Sequence, residues 1–260
     1  MGLRRVAFAV VVLLVLVVST VACGRSTTTS ATGDSISGSL TVSAASSLQG
    51  AFTDIQGAFI KAHPGVNVTI NFGASSTLAQ QLIAGAPVDV FASADEATMT
   101  KVSDANLLIG QSQIFATNSL EIIIRKGNPS RITSVSDLSK SGVVYVTCAP
   151  EVPIGKYSAQ VLQKAGVTVK PASLEPDVKG IVAKVTAGEA DAGIVYSTDV
   201  LATKGAAEGV VLPNDINVTA SYPIAALSTS HNLSAAQAWI TFVAGPEGQS
   251  ILKSYGFGSP

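Results

Sequence analysis

The sequence predicts an α/β fold, because short apolar strands alternate with segments of helical periodicity over more than two hundred residues. Residues 40–44 are expected to form the first strand, and apolar side chains then recur at helical spacing as far as the helix-stopping His63-Pro64-Gly65. The same strand, turn and helix pattern follows again further along the chain. Such alternation is typical of parallel sheets that helices cover.

The later elements follow the same rule. Residues 66–72 and 88–91 are the next predicted strands, and a helix is expected at residues 96–105, with Asp95 as its cap. Further strands are predicted at residues 120–124, 143–146 and 193–196. Ligands of open α/β sheets sit at the carboxyl ends of strands, so we look for a site in the turns that follow strands.

The amino-terminal residues predict export. A basic start, an apolar run at residues 6–18 and small residues after it predict a signal peptide at residues 1–22, because the run is too short to span a membrane. Val21-Ala22-Cys23 matches a lipobox, so Cys23 is the expected lipid attachment site. Residues 23–39 are rich in Ser, Thr and Gly, which predicts a flexible tether. The expected location is extracytoplasmic, anchored to the cell membrane.

Composition argues against several classes of function. The formal net charge is −1 and the basic residues are scattered, which excludes a typical nucleic-acid-binding surface. If Cys23 carries lipid, Cys148 has no disulfide partner and is expected to be a small buried residue. The two histidines, His63 and His231, are isolated, so we predict no bare metal site and no cofactor.

Two strand-to-helix turns carry paired serines, Ser46-Ser47 and Ser75-Ser76. Serine often only caps a helix, and that alternative stays open for each of them. A helix start also offers free N–H groups and the positive end of the dipole, which favour an anion. A serine hydrolase is a further alternative, but no Gly-x-Ser-x-Gly motif exists and neither histidine neighbours a serine turn in sequence. We therefore predict that the chain is not an enzyme.

An ordered set of motifs gives a more specific prediction. With these motifs, the chain resembles the periplasmic molybdate-binding proteins of ABC importers, over nearly all of residues 40–257. The motifs lie at residues 41–48 (TVSAASSL), 72–78 (FGASSTL), 85–95 (GAPVDVFASAD), 150–157 (PEVPIGKY), 177–180 (DVKG), 193–196 (GIVY), 222–225 (YPIA) and 255–257 (YGF).

The resemblance implies a molybdate site made only of hydrogen-bond donors. Pro153 has no N–H, so Ile154 offers the first donor of its helix, and Gly155 is expected to keep the approach uncrowded. Asp177 is a suitable cap for the helix that begins next to it. Ile154 stands where relatives carry a smaller residue, which is expected to narrow the pocket. The implied ligands are the hydroxyls and N–H groups of Ser47 and Ser75, the N–H groups of Ile154 and Val178, and the hydroxyl of Tyr196.

A site made only of hydrogen-bond donors selects anions by whether they carry a proton. A dianion without a proton needs no acceptor from the protein, whereas protonated phosphate does. Molybdate and tungstate fit this site, and phosphate fits poorly. Sulfate or another small anion is the main alternative, and a purely structural surface lipoprotein is another.

The resemblance also implies the two-lobed type II binding-protein fold, each lobe with a mixed, mainly parallel sheet flanked by helices. Lobe I is expected at residues 40–118 and 224–260, and lobe II at residues 119–223. The lobes are expected to close on the ligand. The implied partners are an ABC permease and its ATPase subunit, and the chain itself is expected to be a monomer.

Overall fold

A computed structural model describes residues 36–260. The predicted signal peptide, the lipid attachment at Cys23 and residues 23–35 of the predicted tether lie outside the described residues. Within residues 36–260, none of the helices is long and apolar enough to cross a membrane.

The described residues form ten β-strands. In chain order they are β1 (Gly38–Ala45), β2 (Val66–Gly73), β3 (Val90–Ala92), β4 (Leu108–Asn118), β5 (Leu120–Arg125), β6 (Tyr145–Cys148), β7 (Ser173–Glu175), β8 (Ala192–Tyr196), β9 (Ala207–Val211) and β10 (Ala220–Leu227).

Eight α-helices and two short 3₁₀ helices accompany these strands in the same part of the chain. The α-helices are α1 (Gln49–Ala62), α2 (Ser75–Ile83), α3 (Glu96–Asp104), α4 (Pro153–Lys164), α5 (Val178–Ala187), α6 (Ser197–Ala202), α7 (Leu233–Ala244) and α8 (Pro246–Ser254), and the 3₁₀ helices are Ser46–Leu48 and Val135–Ser139.

The strands of residues 36–260 form two five-stranded sheets. The first has the order β2-β1-β3-β10-β4, and the second has the order β7-β6-β8-β5-β9. In the first sheet β1 pairs in parallel with β2 and β3, while β10 is antiparallel to β3 and β4. In the second sheet β6 is parallel to β7 and β8, while β5 is antiparallel to β8 and β9. The predicted α/β class with mixed sheets is confirmed, and antiparallel pairings are as frequent as parallel ones.

The chain passes between the sheets twice. β4 ends at Asn118 in the first sheet and β5 begins at Leu120 in the second, so the first crossing takes a single residue. The return leads from β9 into β10, which joins the first sheet from Ala220 onwards. We propose two lobes centred on the two sheets. Lobe I contains the first sheet, including the segment that returns at Ala220, and lobe II contains the second sheet, which lies between the two crossings in the sequence. This places the second boundary four residues before the predicted residue 224.

Several predicted boundaries differ from the observed ones. β1 begins at Gly38, inside the predicted tether. The strand predicted at residues 143–146 is observed at Tyr145–Cys148, because the N–H of Val144 donates to the Asp191 carboxylate instead of to a neighbouring strand. The predicted strand at residues 88–91 is β3, Val90–Ala92. The prediction for the α3 cap is confirmed, since the Asp95 side chain accepts a hydrogen bond from the Thr98 N–H at 3.0 Å.

The core of lobe I contains a cluster of aromatic side chains. Phe52 and Phe59 lie on the buried face of α1, where their helical spacing predicts them, and both pack edge-on against Trp239 of α7. The ring of Phe115 on β4 lies 5.7 Å from that of Phe52. These contacts hold α1 against the sheet and so fix the turn between β1 and α1, which carries the first pair of serines.

Candidate anion-binding site

The five predicted ligand residues line one cavity. Two of them come from lobe I, where Ser47 lies in the turn after β1 and Ser75 begins α2. The others come from lobe II, at the starts of α4 and α5 and at the carboxyl end of β8. All five are buried, the most exposed being Ser47 at 7%. The structure thus brings together residues that lie as far apart in sequence as Ser47 and Tyr196.

The cavity volume is about 10 Å³. A cavity needs roughly 10–15 Å³ to hold one water molecule, so the free space among these residues is about that of a single water molecule. Ile154 is almost completely buried and lies on the cavity wall. The narrowing of the pocket by its side chain stays a prediction.

The serines do not cap their helices through their side chains. The cap positions are Ala45 and Ala74, and neither cap has a side-chain hydrogen bond. Ser75 Oγ instead accepts a hydrogen bond from the Ala94 N–H at 3.0 Å, which leaves the hydroxyl proton of Ser75 available to a ligand. Ser47 Oγ lies 3.1 Å from the hydroxyl of Tyr222. Capping alone therefore does not explain Ser47 and Ser75.

Backbone donors come from the starts of two helices. Pro153 is the first residue of α4 and Ile154 the second, while Val178 is the first residue of α5. N–H groups in the first turn of a helix have no acceptor within that helix. The Asp177 side chain caps α5 as predicted, but it accepts from the N–H of Gly180, which leaves Val178 free of that bond.

Tyr196 supplies the fifth group. Its side chain is 1% exposed, and its hydroxyl has no hydrogen-bond partner among the described residues. Burial raises the pKa of Tyr196 well above its ordinary value, so the phenol keeps its proton at neutral pH. A buried hydroxyl without a partner is costly, and a ligand oxygen in the cavity would receive its hydrogen bond.

Two lysines lie beside the helix starts, but each contacts a carboxylate. Lys156 Nζ lies 2.5 Å from Asp95 Oδ2, and Lys179 Nζ lies 2.8 Å from Asp199 Oδ1. Burial raises the pKa of Asp199, while the ammonium of Lys179 acts in the opposite direction, and the short contact is that of an ion pair. The positive charge that faces the cavity therefore comes from the dipoles and N–H groups of the helix starts. Among the described residues, no unpaired ammonium group contributes to it.

The structure assigns Gly155 a role different from the predicted one. A Cβ at this position would collide with the carbonyl oxygens of Ala149 and Cys148. The glycine thus allows α4 to pack against the end of β6, and it is this packing that sets the position of the Ile154 N–H. The expectation that Gly155 keeps the approach to the ligand uncrowded stays a prediction. The prediction for Cys148 is confirmed, since it is 2% exposed and burial raises the pKa of its thiol.

No histidine accompanies the serines in the lining of the cavity. His63 and His231 are absent from its lining, and His231 donates its N–H to Asp89, which precedes β3, whereas the cavity-lining Ala94 follows β3. Within the described part of the chain, no group of three or more His, Cys, Asp or Glu residues is placed to hold a metal ion. The chemistry available is donation of hydrogen bonds to a bound anion.

The sequence did not predict the contacts made by the residues next to and behind the cavity. Tyr222 contacts Ser47, and Asn118 contacts Tyr222. Lys156 and Asp95 connect the lobes beside the cavity. Tyr222 belongs to one of the motifs of the resemblance, at residues 222–225, but no pattern in the sequence gave it a partner 175 residues away.

Comparison with known proteins agrees with this geometry. The family model described as bacterial extracellular solute-binding protein matches residues 40–258. The molybdate-binding protein ModA of Mycobacterium tuberculosis is 40% identical over 247 residues, which cover 94% of this chain and 95% of the relative.

Two solved structures show the same fold. The periplasmic molybdate-binding protein of Azotobacter vinelandii has a TM-score of 0.76 at 22% identity, covering 85% of this chain and 99% of the other. The sulfate-binding protein SubI of Mycobacterium tuberculosis has a TM-score of 0.75 at 21% identity, covering 84% and 86%. Binding proteins for two different oxyanions thus share this two-lobed architecture.

Proposed function

The chain belongs to the family of bacterial extracellular solute-binding proteins, and from that premise we propose that it captures molybdate between its two lobes, outside the cytoplasm. It is a binding protein and not an enzyme. We propose Ser47, Ser75, Ile154, Val178 and Tyr196 as the residues that hold the anion.

One observation carries the proposal most directly. The hydroxyl of Tyr196 is buried, protonated and without a partner among the described residues, and it borders the cavity that the two serines and the two helix starts also border. Each of these groups is able to donate a hydrogen bond. A small anion placed among them would satisfy the buried phenol and would lie at the positive ends of two helix dipoles.

The donor set favours an oxyanion without a proton. Molybdate and sulfate are dianions at neutral pH and accept hydrogen bonds at every oxygen, whereas phosphate keeps a proton that needs an acceptor. Asp177 is the one carboxylate on the cavity wall, and the capping bond that its Oδ1 accepts from Gly180 holds it at the start of α5. Phosphate is therefore expected to bind poorly.

Tungstate is proposed as a second ligand, because its oxygens would meet the same donors. Sulfate is the competing candidate, favoured by the sulfate-binding protein that shares the fold. The 40% identity to a molybdate-binding protein over most of the chain favours molybdate. We further propose that a lipid on Cys23 anchors the chain to the membrane and that the chain delivers its ligand to an ABC permease and its ATPase subunit.

A thermal-shift panel tests the proposal. The purified chain is heated with equal concentrations of molybdate, tungstate, sulfate or phosphate, or without added anion. Stabilisation grows with the ratio of ligand concentration to Kd, at about 4 kcal/mol for a thousandfold excess over Kd. We expect a large rise in Tm with molybdate and tungstate, a small one with sulfate and none with phosphate. A larger shift with sulfate than with molybdate would assign the protein to sulfate, and no shift with any anion would exclude oxyanion capture.

A further inference from the structure

Tyr222 lies directly behind the candidate site without bordering it. Its side chain is completely buried on β10, and its hydroxyl lies 3.1 Å from Ser47 Oγ. The ring is held on several sides by edge-on contacts, among them Phe115 at 6.3 Å and Phe257 at 5.5 Å between ring centroids. The phenol therefore has little freedom to leave Ser47.

A second polar group contacts the same hydroxyl. Asn118 Nδ2 lies 3.5 Å from the hydroxyl of Tyr222 and 2.9 Å from Thr198 Oγ1. Asn118 Oδ1 accepts a hydrogen bond from Ser197 Oγ at 3.0 Å. These bonds orient the amide so that its NH₂ group points at Tyr222. Asn118 is also the last residue of β4, at the crossing between the lobes.

The donors and acceptors in this series of contacts determine the direction in which the hydrogen bonds are donated. Asn118 Nδ2 can only donate, so among the described residues Ser47 Oγ is the one acceptor bonded to the Tyr222 hydroxyl, and the single proton of the phenol is directed to it. Ser47 Oγ then accepts from Tyr222, and its own proton is free to point into the cavity. We propose that Tyr222 is a positioning residue that keeps Ser47 as a hydrogen-bond donor to the bound anion, with Asn118 setting the direction of the chain.

This arrangement would also select among anions. A serine hydroxyl that is free to rotate can donate to a ligand or accept from one, but Ser47 is held as a donor by Tyr222. A protonated oxyanion such as hydrogen phosphate would find no acceptor there. The inference rests on the proposed function, because it assumes that Ser47 contacts the bound anion, and it names the residue that enforces selection against protonated ligands.

The substitution Tyr222→Phe tests the role, because it removes the hydroxyl and keeps the packed ring. Molybdate affinity is measured by titration calorimetry, and sulfate and phosphate are measured as competitors of molybdate at pH 7. Loss of one neutral hydrogen bond corresponds to about a two- to tenfold change. We expect molybdate and sulfate to weaken by that factor while phosphate does not weaken. An equal loss for all three anions would indicate a general structural defect and would overturn the inference, as would no loss for molybdate.

A double-mutant cycle identifies the route of the effect. If Tyr222 acts through Ser47, Tyr222→Phe should weaken binding little or not at all once Ser47→Ala is present. Additive losses would overturn the inference. Tyr255→Phe is the matched control, because this tyrosine donates its hydroxyl to Asp54 at the surface, and no change in affinity is expected. Failure of the wild-type chain to bind molybdate would contradict the proposed function itself, whereas wild-type binding with an additive cycle would contradict only the role of Tyr222.

Discussion

Lys156 Nζ lies 2.5 Å from Asp95 Oδ2, and this ion pair joins the two lobes beside the candidate site. Lys156 is in the first turn of α4 in lobe II, and Asp95 caps α3 in lobe I. The Asp95 side chain is 4% exposed and the Lys156 side chain 34%, so the pair is partly withdrawn from water. A contact between lobes can form only when they are closed, so it stabilises the closed arrangement relative to an open one.

Removal of this pair should weaken ligand capture. For Lys156→Met we expect a loss of about 1 kcal/mol in molybdate binding, or roughly fivefold in Kd, because a lysine one-third exposed is partly screened by solvent. Titration calorimetry measures the loss, and small-angle scattering should show a more open ligand-free chain. Lys184→Met is the matched control, since Lys184 is 33% exposed and pairs with Glu175 inside lobe II, and it should leave Kd unchanged.

Asp95→Asn distinguishes the contact between the lobes from the effect of the Lys156 charge on the bound anion. Asparagine can keep the cap of α3, but it breaks the pair and leaves Lys156 positive near the anion. If the pair holds the lobes together, affinity should fall. A rise in affinity would mean that Lys156 acts only through its charge and that the contact between lobes contributes nothing.

Tyr196→Phe should affect binding without affecting the ligand-free fold. The substitution removes a buried hydroxyl that has no partner among residues 36–260, so the Tm without ligand should not fall and is expected to rise. With ligand it removes one hydrogen bond to a charged group, which costs about 1.5–3 kcal/mol, or roughly tenfold to somewhat over a hundredfold in Kd. Titration calorimetry with molybdate measures this loss. Unchanged affinity would remove Tyr196 from the site.

Part of this molecule could be predicted from its sequence. The helical spacing of Phe52 and Phe59 and the strand before them identified the first β-turn-α unit, because local apolar periodicity reports which face is buried. The serine turns and the Pro153-Ile154 helix start indicated an anion site, because free donors at helix starts are a local property. The five predicted residues do line one cavity.

Other features depend on contacts that local patterns do not encode. Residues Ile109–Gln113 of β4 are exposed, so this strand lacks the alternation of apolar and polar residues that reveals a half-buried strand. Its antiparallel pairing with β10 was therefore not predicted. Tyr222 and Asn118 meet because β10 pairs with β4, two strands that are far apart in the sequence. The role of Gly155 depends on a loop that the helix touches only after folding.

Gly155→Ala should damage both stability and binding. The added Cβ would meet the carbonyl oxygens of Ala149 and Cys148, which are backbone atoms that cannot move aside cheaply. Overpacking of this kind costs typically about 1–3 kcal/mol, and a shift of α4 would also displace the Ile154 N–H. We expect a lower free energy of unfolding in urea and weaker molybdate binding by calorimetry.

Gly57→Ala is the control for that substitution. Gly57 lies inside α1 with nothing near the position of a Cβ, so alanine there should stabilise the chain by up to about 1 kcal/mol and leave binding unchanged. If Gly155→Ala behaved like Gly57→Ala, the close packing of α4 against the end of β6 would be wrong.

Asp137 gives lobe II a dependence on pH that has nothing to do with the ligand. Its carboxylate contacts Lys140 and accepts hydrogen bonds from the backbone of Thr133 and Ser134. The bond from Lys140, followed by the one from Thr133, lowers the pKa of Asp137 below its ordinary value. A lowered folded-state pKa means stability that is fully present above the unfolded pKa of about 3.9 and lost as pH falls through the folded value.

The substitution Asp137→Asn isolates this contribution, because all other groups titrate alike in both proteins. Urea unfolding of the ligand-free chain should show the variant less stable than wild type at pH 7, by an amount that shrinks as pH falls below about 4. The reason is that wild type loses its charged acceptor by protonation, whereas the variant never had one. A difference that stays constant from pH 7 to pH 3 would mean that the charge of Asp137 contributes nothing and that only the shape of its side chain matters.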